Sequence, residues 1–320
     1  MTEEEKLGES VVARSRLRGA LAPVLTPFDQ DREPDFPAFL AHCRWLLAND
    51  AGLAIFGTNS EAASLSADER IALTEGLLEA GIPAHKLMPG TGACSVKEAV
   101  RLTRHAVQNG ASGVLMLPPF YFKRVSEEGV FSYYADVIDA VADPNLAIYL
   151  YHIPQLTEVP ITLSLIERLL KRYPRVIAGA KDSSGDWANS KAMIENFAKE
   201  NFDVFPASEV FLTDAISIGG VGCISATVNV NPAAISGLAR ALEDNRQSDE
   251  TRALQVKVDA VRRTFQSFEL IPAMKGALAH FTGRAAWQIV RPPLTPLSQS
   301  IQADLLTKLA TLQFEMPVGQ

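Results

Sequence analysis

Few side chains in this sequence stand where they could do covalent chemistry, and Lys181 is the first of them. It follows an unbroken apolar run, Val176-Ile177-Ala178-Gly179-Ala180. Such a position carries the amine out of bulk water. Burial disfavours the ammonium form and leaves an amine able to attack a carbonyl carbon and form an imine. The same lysine could instead pair with Asp182 or Asp186, and position alone leaves both readings open. Tyr151 closes another apolar run, at 146–150, and a phenol held beside an amine can relay protons during imine formation and carbon–carbon cleavage. Its other reading is an aromatic cap on the core with the hydroxyl in solvent. The turn Gly57-Thr58-Asn59-Ser60-Glu61 collects two polar side chains and several backbone N–H groups, a grip suited to a carboxylate. Those residues also suit plain turn chemistry. Glu61 reads either as a polar substrate contact or as an exposed loop charge.

Other chemistries find less support. The five histidines, at 42, 85, 105, 152 and 280, are scattered, and only His152 falls at the end of an apolar run, so a metal-dependent aldolase site is not expected. No metal or cofactor is called for. Cys43, Cys94 and Cys223 are widely spaced with no CxxC, which fits a reducing compartment and argues against a disulfide framework. The opening residues MTEEEKLGES are acidic and polar, unlike a secretory signal, and no apolar run is long enough for a membrane span. A cytoplasmic location is the expectation. With 30 Lys+Arg against 37 Asp+Glu, the net charge is −7, and no basic cluster points to nucleic acid or an anionic membrane as partner.

Those candidates must be positioned by regular elements. From residue 18 onward, eight short runs rich in Val, Ile and Leu alternate with longer amphipathic stretches: 20–25, 52–56, 86–88, 113–117, 146–150, 176–180, 202–205 and 221–224. Near-continuous apolarity suits parallel strands covered on both faces, and the intervening stretches are long enough for crossover helices. Ser66 with Glu69, and Ser164 with Glu167, have capping-box spacing. Gly81, Gly110 and Pro174 stand where helices must end. The stretch 66–80 gathers Ile71, Leu73, Leu77 and Leu78 on one arc and sets Asp68, Glu75 and Glu79 opposite.

Eight βα units predict an α/β fold, a (β/α)8 TIM barrel with a C-terminal helical extension. A doubly wound sheet would show a glycine-rich fingerprint after its first strand, where this chain has Leu25-Thr26-Pro27-Phe28. The later Gly90-Thr91-Gly92 and Gly219-Gly220-Val221-Gly222 fit close packing instead. The expected organisation is a mobile tail at 1–18, a catalytic barrel at 19–240 and a helical segment at 241–320, with helices near 249–268, 272–282 and 302–312. In such a barrel the active site collects at the C-terminal ends of the strands, where Lys181, Tyr151 and Thr58 all fall.

The segments GTNSE, YHIP and GAKDSSGD, in that order at the ends of the second, fifth and sixth runs, resemble the signature segments of the N-acetylneuraminate lyase and dihydrodipicolinate synthase family. The resemblance extends from about Gly19 to about Leu297, through TPF at Thr26, GTGA at Gly90, Gly222-Cys223-Ile224-Ser225 with Asn229, and Pro293-Leu294-Thr295-Pro296-Leu297. It implies that Lys181 forms the imine with pyruvate or another 2-oxo acid and that Tyr151 transfers the protons. Thr58 and Asn59 match the positions that bind the pyruvyl carboxylate. Tyr121 matches a tyrosine that reaches a neighbouring subunit's site, which goes with a homotetramer. Glu61, Ser183, Ser208, Ile224 and Ser225 complete the substrate-binding candidates.

Two departures bear on the substrate. Synthases of the lysine pathway carry an arginine two residues after the proline of this segment, where this chain has Leu156. The acidic pair by which sialic-acid lyases hold the sugar chain corresponds to Glu209-Val210, a single acid. His152 stands where asparagine is usual, and Ser60 replaces a glycine. The expected activity is therefore a class I lyase acting on a 2-oxo-3-deoxy sugar acid or a 4-hydroxy-2-oxo acid. Lysine-pathway synthesis or dehydration of such an acid is the alternative, and a pyruvate-binding regulatory protein the remote one.

Overall fold

The structure, a computed structural model, describes residues 16–244 and 248–317. Among them, seven regular strands run parallel: β1 (Gly19–Ala22), β2 (Gly52–Leu53), β3 (Val114–Met116), β4 (Ile148–His152), β5 (Ile177–Asp182), β6 (Asp203–Pro206) and β7 (Gly222–Ile224). They hydrogen-bond in the orders β2-β1-β7 and β3-β4-β5-β6. The expected strand at 86–88 brings the staves to eight and is the third in chain order, displaced and irregular. Leu87 bridges to Leu53 and Gly90 to Leu115. Met88 N donates to Leu53 O at 2.8 Å, and Thr91 N to Leu115 O at 2.9 Å. Pro89 has no N–H to offer a ladder, and a Cβ on Gly90 would stand 2.0 Å from the Phe56 carbonyl oxygen, so this stave is pulled in against its neighbour. Val221 N bonds Val204 O at 3.3 Å across the remaining seam. The result is a closed (β/α)8 barrel.

Helices α1 (Phe36–Ala48), α2 (Ala67–Glu79), α3 (Val96–Gln108), α4 (Glu127–Val141), a short α5 (Pro154–Thr157), α6 (Leu163–Arg172), α7 (Trp187–Phe197), α8 (Leu212–Ser217) and α9 (Pro232–Asp244) occupy the crossovers. Helix α2 carries the expected capping box: Ser66 Oγ accepts from Glu69 N, and the Glu69 carboxylate accepts from Ser66 N. Its buried face is Arg70, Leu73, Thr74 and Leu77, rotated from the expected arc, with Ile71 and Leu78 half-buried at its edges. The second expected capping box is absent. Thr162 caps α6 by accepting from Leu165 N, and Ser164, already inside the helix, donates to Glu127. Gly81 and Gly110 take positive φ just past α2 and α3, as helix-ending glycines do.

Side chains from alternate strand positions fill the barrel, with Leu21, Met88, Tyr149 and Phe205 fully buried there. Part of the segment expected as a tail, Arg16 and Leu17, is packed against the barrel. Leu17 packs into the barrel interior, and Arg16 bonds Ala178 O and pairs with Asp203, closing the bottom; residues 1–15 lie outside the described residues. At the other boundary α9 runs past 240 to Asp244. Helices α10 (Asp249–Gln266), α11 (Leu270–Thr282) and α12 (Gln299–Thr311) then pack on Leu25, Ala226 and Val230 at the barrel rim.

Candidate active site

The amine and the phenol are brought together by strand register. Tyr151 and Lys181 are direct partners on the adjacent strands β4 and β5. Side chains alternate faces along a strand, and Ile177 lies in the outer layer against the helices, so strict alternation would turn residue 181 outward. The pairing slips between Ile148 and Tyr149, where β5 carries one extra residue: Ile177 faces Ile148, yet Gly179 faces Tyr149. That bulge reverses the alternation and sends Lys181 inward beside Tyr151. It also requires glycine, because a Cβ on Gly179 would lie 2.1 Å from Asp203 O.

Lys181 Nζ sits 3.4 Å from the Tyr151 hydroxyl and 4.4 Å from the centre of its ring. The phenol oxygen is 3.0 Å from Thr58 Oγ1, which gives an unbroken polar chain of amine, phenol and hydroxyl. Lys181 is 1% exposed, yet it lines a cavity of about 560 Å³ at the barrel mouth. Neither aspartate pairs with it. The Asp182 carboxylate takes Ser184 N at 3.0 Å, Asn189 Nδ2 at 3.0 Å and Ser190 Oγ at 2.6 Å, and Asp186 caps α7.

Thr58 and Asn59 line the same cavity. Among the described residues no acceptor takes their backbone N–H groups, which leaves two donors for an anion. The turn is stiff: Phe56 and Glu61 hold φ of 60° and 56°, a conformation bulky residues rarely adopt. The backbone freedom this turn demands falls at these two residues rather than at Ser60. Thr26 Oγ1 donates to Ser60 O at 2.8 Å from the neighbouring strand end.

Of the remaining sequence candidates, Ser183, Ser208 and Ile224 line the cavity and three others do not. Glu61 does not line the cavity, and it is buried rather than an exposed charge. Its carboxylate forms a fully buried ion pair with Lys275 and accepts from Arg291 N at 2.8 Å. Burial lowers the Lys275 pKa to about 8 against the opposing pull of Glu61. Ser225 is buried away from the cavity because its hydroxyl, like that of Thr227, donates to the Glu209 carboxylate. Tyr121 is 75% exposed, away from its own chain's cavity, with its ring against Phe122. His152 is buried, its Nδ1 accepts from Ile161 N at 3.0 Å, and burial lowers its pKa.

The cavity also has walls that sequence reasoning missed: Gln155 from α5, Arg262 and Gln266 from α10, and Glu269 and Leu270 at the start of α11. A signal for Arg262 was present, since it interrupts the apolar stripe of α10 between Val258, Val261 and Phe265. Leu156, which stands where an arginine was looked for, is 58% exposed and off the cavity.

The sequence matches the Dihydrodipicolinate synthetase family over residues 16–312. It is 34% identical over 295 residues to an uncharacterized DapA-like lyase of Chloroflexus aurantiacus, covering 90% of this chain and 94% of that protein. It is 31% identical over 300 residues to a 4-hydroxy-tetrahydrodipicolinate synthase of Methanococcoides burtonii, covering 92% and 99%. Among solved structures, YagE of Escherichia coli K12, a prophage protein of the dihydrodipicolinic acid synthase family in complex with pyruvate, superposes with a TM-score of 0.84 at 28% identity, covering 93% of this chain and 99% of that one.

Proposed function

The chain belongs to the dihydrodipicolinate synthetase family, and from that premise we propose that it is a class I lyase that makes or breaks a 2-oxo acid through an imine between Lys181 and pyruvate. The observation that carries this reading is the amine, phenol and hydroxyl chain of Lys181, Tyr151 and Thr58 on a cavity wall.

In the forward direction the Lys181 amine adds to the ketone carbon of pyruvate, and loss of water gives the protonated imine. The imine draws electrons from the methyl group, whose proton leaves to give an enamine. The enamine carbon attacks an aldehyde, the new alkoxide takes a proton, and water releases the product and the free amine. Tyr151 touches Lys181 and Thr58 and is the group that carries protons to and from these intermediates. The open N–H groups of Thr58 and Asn59 hold the pyruvyl carboxylate, with Ser183, Ser208 and Ile224 bounding the substrate.

The 2-oxo acid made or broken is a 2-oxo-3-deoxy sugar acid or a 4-hydroxy-2-oxo acid. Likeness to the Methanococcoides synthase favours aspartate semialdehyde instead; Leu156, exposed and off the cavity, opposes it. Exposed Tyr121 and Phe122 support an assembly of four copies in which Tyr121 meets a neighbour's site, and the free thiols Cys43, Cys94 and Cys223 fit a cytoplasmic setting. The deciding experiment is incubation with pyruvate and borohydride followed by intact mass. Wild type is expected to gain one reduced pyruvyl group and Lys181→Ala none; an adduct that survives Lys181→Ala would overturn the imine.

A further inference from the structure

A buried guanidinium faces the cavity without an anion to answer it. Arg262 projects from the apolar stripe of α10, flanked by Val261 and Phe265, and is 8% exposed, yet it lines the cavity that holds Lys181. Its Nε has no hydrogen-bond partner, and its Nη1 reaches only Ser225 Oγ, at 3.5 Å. Among the described residues no carboxylate stands within ion-pair distance of it. The two acids nearby are committed elsewhere. Glu209 accepts from Ser225 and Thr227, so Ser225 stands between it and Arg262, and Asp259 is turned to Gln255 and Arg263.

A desolvated guanidinium with open donors is destabilising on its own and strongly favourable once a carboxylate completes it, because its planar fork matches two carboxylate oxygens. The pyruvyl carboxylate is already provided for, at the N–H groups of Thr58 and Asn59 on another wall. We propose that Arg262 binds a second carboxylate, at the far end of the substrate, so that the preferred 2-oxo acid is a dicarboxylate and the aldehyde that pyruvate meets carries an acid group. Specificity then comes from the C-terminal helices, in place of the short helix α5 where Leu156 stands. The inference rests on the Lys181 reading for the chemistry but concerns a different part of the substrate.

The test separates the two. Calorimetry on the intact protein compares 2-oxoglutarate with 2-oxopentanoate, which have the same five-carbon chain and the same ketone but differ in the far carboxylate. 2-Oxoglutarate is expected to bind at least tenfold more tightly, Arg262→Met to erase that preference to within threefold, and Arg262→Lys to restore part of it. Equal affinities in wild type, or a preference that survives Arg262→Met, would overturn the assignment. If Arg262→Met does not fold, the wild-type comparison decides alone. Borohydride trapping with pyruvate runs in parallel on wild type and Arg262→Met. Adducts in both, without a dicarboxylate preference, remove Arg262 only, whereas no adduct in wild type removes the lyase reading.

Discussion

The Tyr151 hydroxyl lies between the Lys181 amine and the Thr58 hydroxyl, so it can hand a proton either way while the ring beneath the amine only shields it. Tyr151→Phe keeps the ring and removes the relay. The expected result is a loss in kcat of about 10²–10⁴-fold, with the pyruvate adduct still trapped by borohydride but more slowly. Unchanged turnover in a steady-state assay would remove Tyr151 from its role. At this scale the sequence was legible in which reactive residues end apolar runs, Lys181 and Tyr151, though not in which way Lys181 points. Glu61 was not legible, since its partner Lys275 is 214 residues away and nothing local distinguishes a buried acid from a loop charge. Ser225 misled for the same reason, its hydroxyl being drawn off by the distant Glu209.

Helix starts show how far local spacing reaches. Ser66 and Ser164 have the same three-residue relation to a glutamate, yet only Ser66 is a cap. The difference lies two residues upstream, where Thr162 already has extended backbone and takes Leu165 N, leaving Ser164 inside the helix. Chemical denaturation should therefore find that Ser66→Ala and Thr162→Ala each lose about 1 kcal/mol, whereas Ser164→Ala loses less than about 0.5 kcal/mol. A larger loss at Ser164 than at Thr162 would contradict the assigned cap. Strands were legible as apolar runs but their irregularities were not. Pro89 and Gly90 displace the third stave, and the extra residue in β5 decides which way Lys181 points; both depend on how neighbouring backbones fit, which no single run of residues encodes.

Across the whole molecule, α1, the end of β7 and the C-terminal segment meet at His42. Its ring lies 5.7 Å from that of Trp45 and 5.1 Å from that of Trp287, and its Nε2 is 3.1 Å from Asn229 Oδ1, which also accepts from Leu25 N. Burial lowers its pKa to about 4, against a smaller opposing effect from Asn229. A histidine that binds its proton less readily folded than unfolded stabilises the fold fully above pH 6.5, and that contribution fades as the pH falls toward 4. Over that window the loss amounts to roughly 3 kcal/mol. Denaturation curves at pH 7 and pH 4.5 should show a shallower decline for His42→Gln than for wild type; parallel declines would mean that His42 is not the group titrating. The same docking of the C-terminal segment sets the active-site turn, because Glu61 is held by Lys275 and by the backbone of Arg291. During synthesis, all eight staves and Lys181 leave the ribosome before either of those residues does. The nascent barrel has its lysine early and its turn late, when the last seventh of the chain arrives to fasten the turn that carries Thr58 and Asn59.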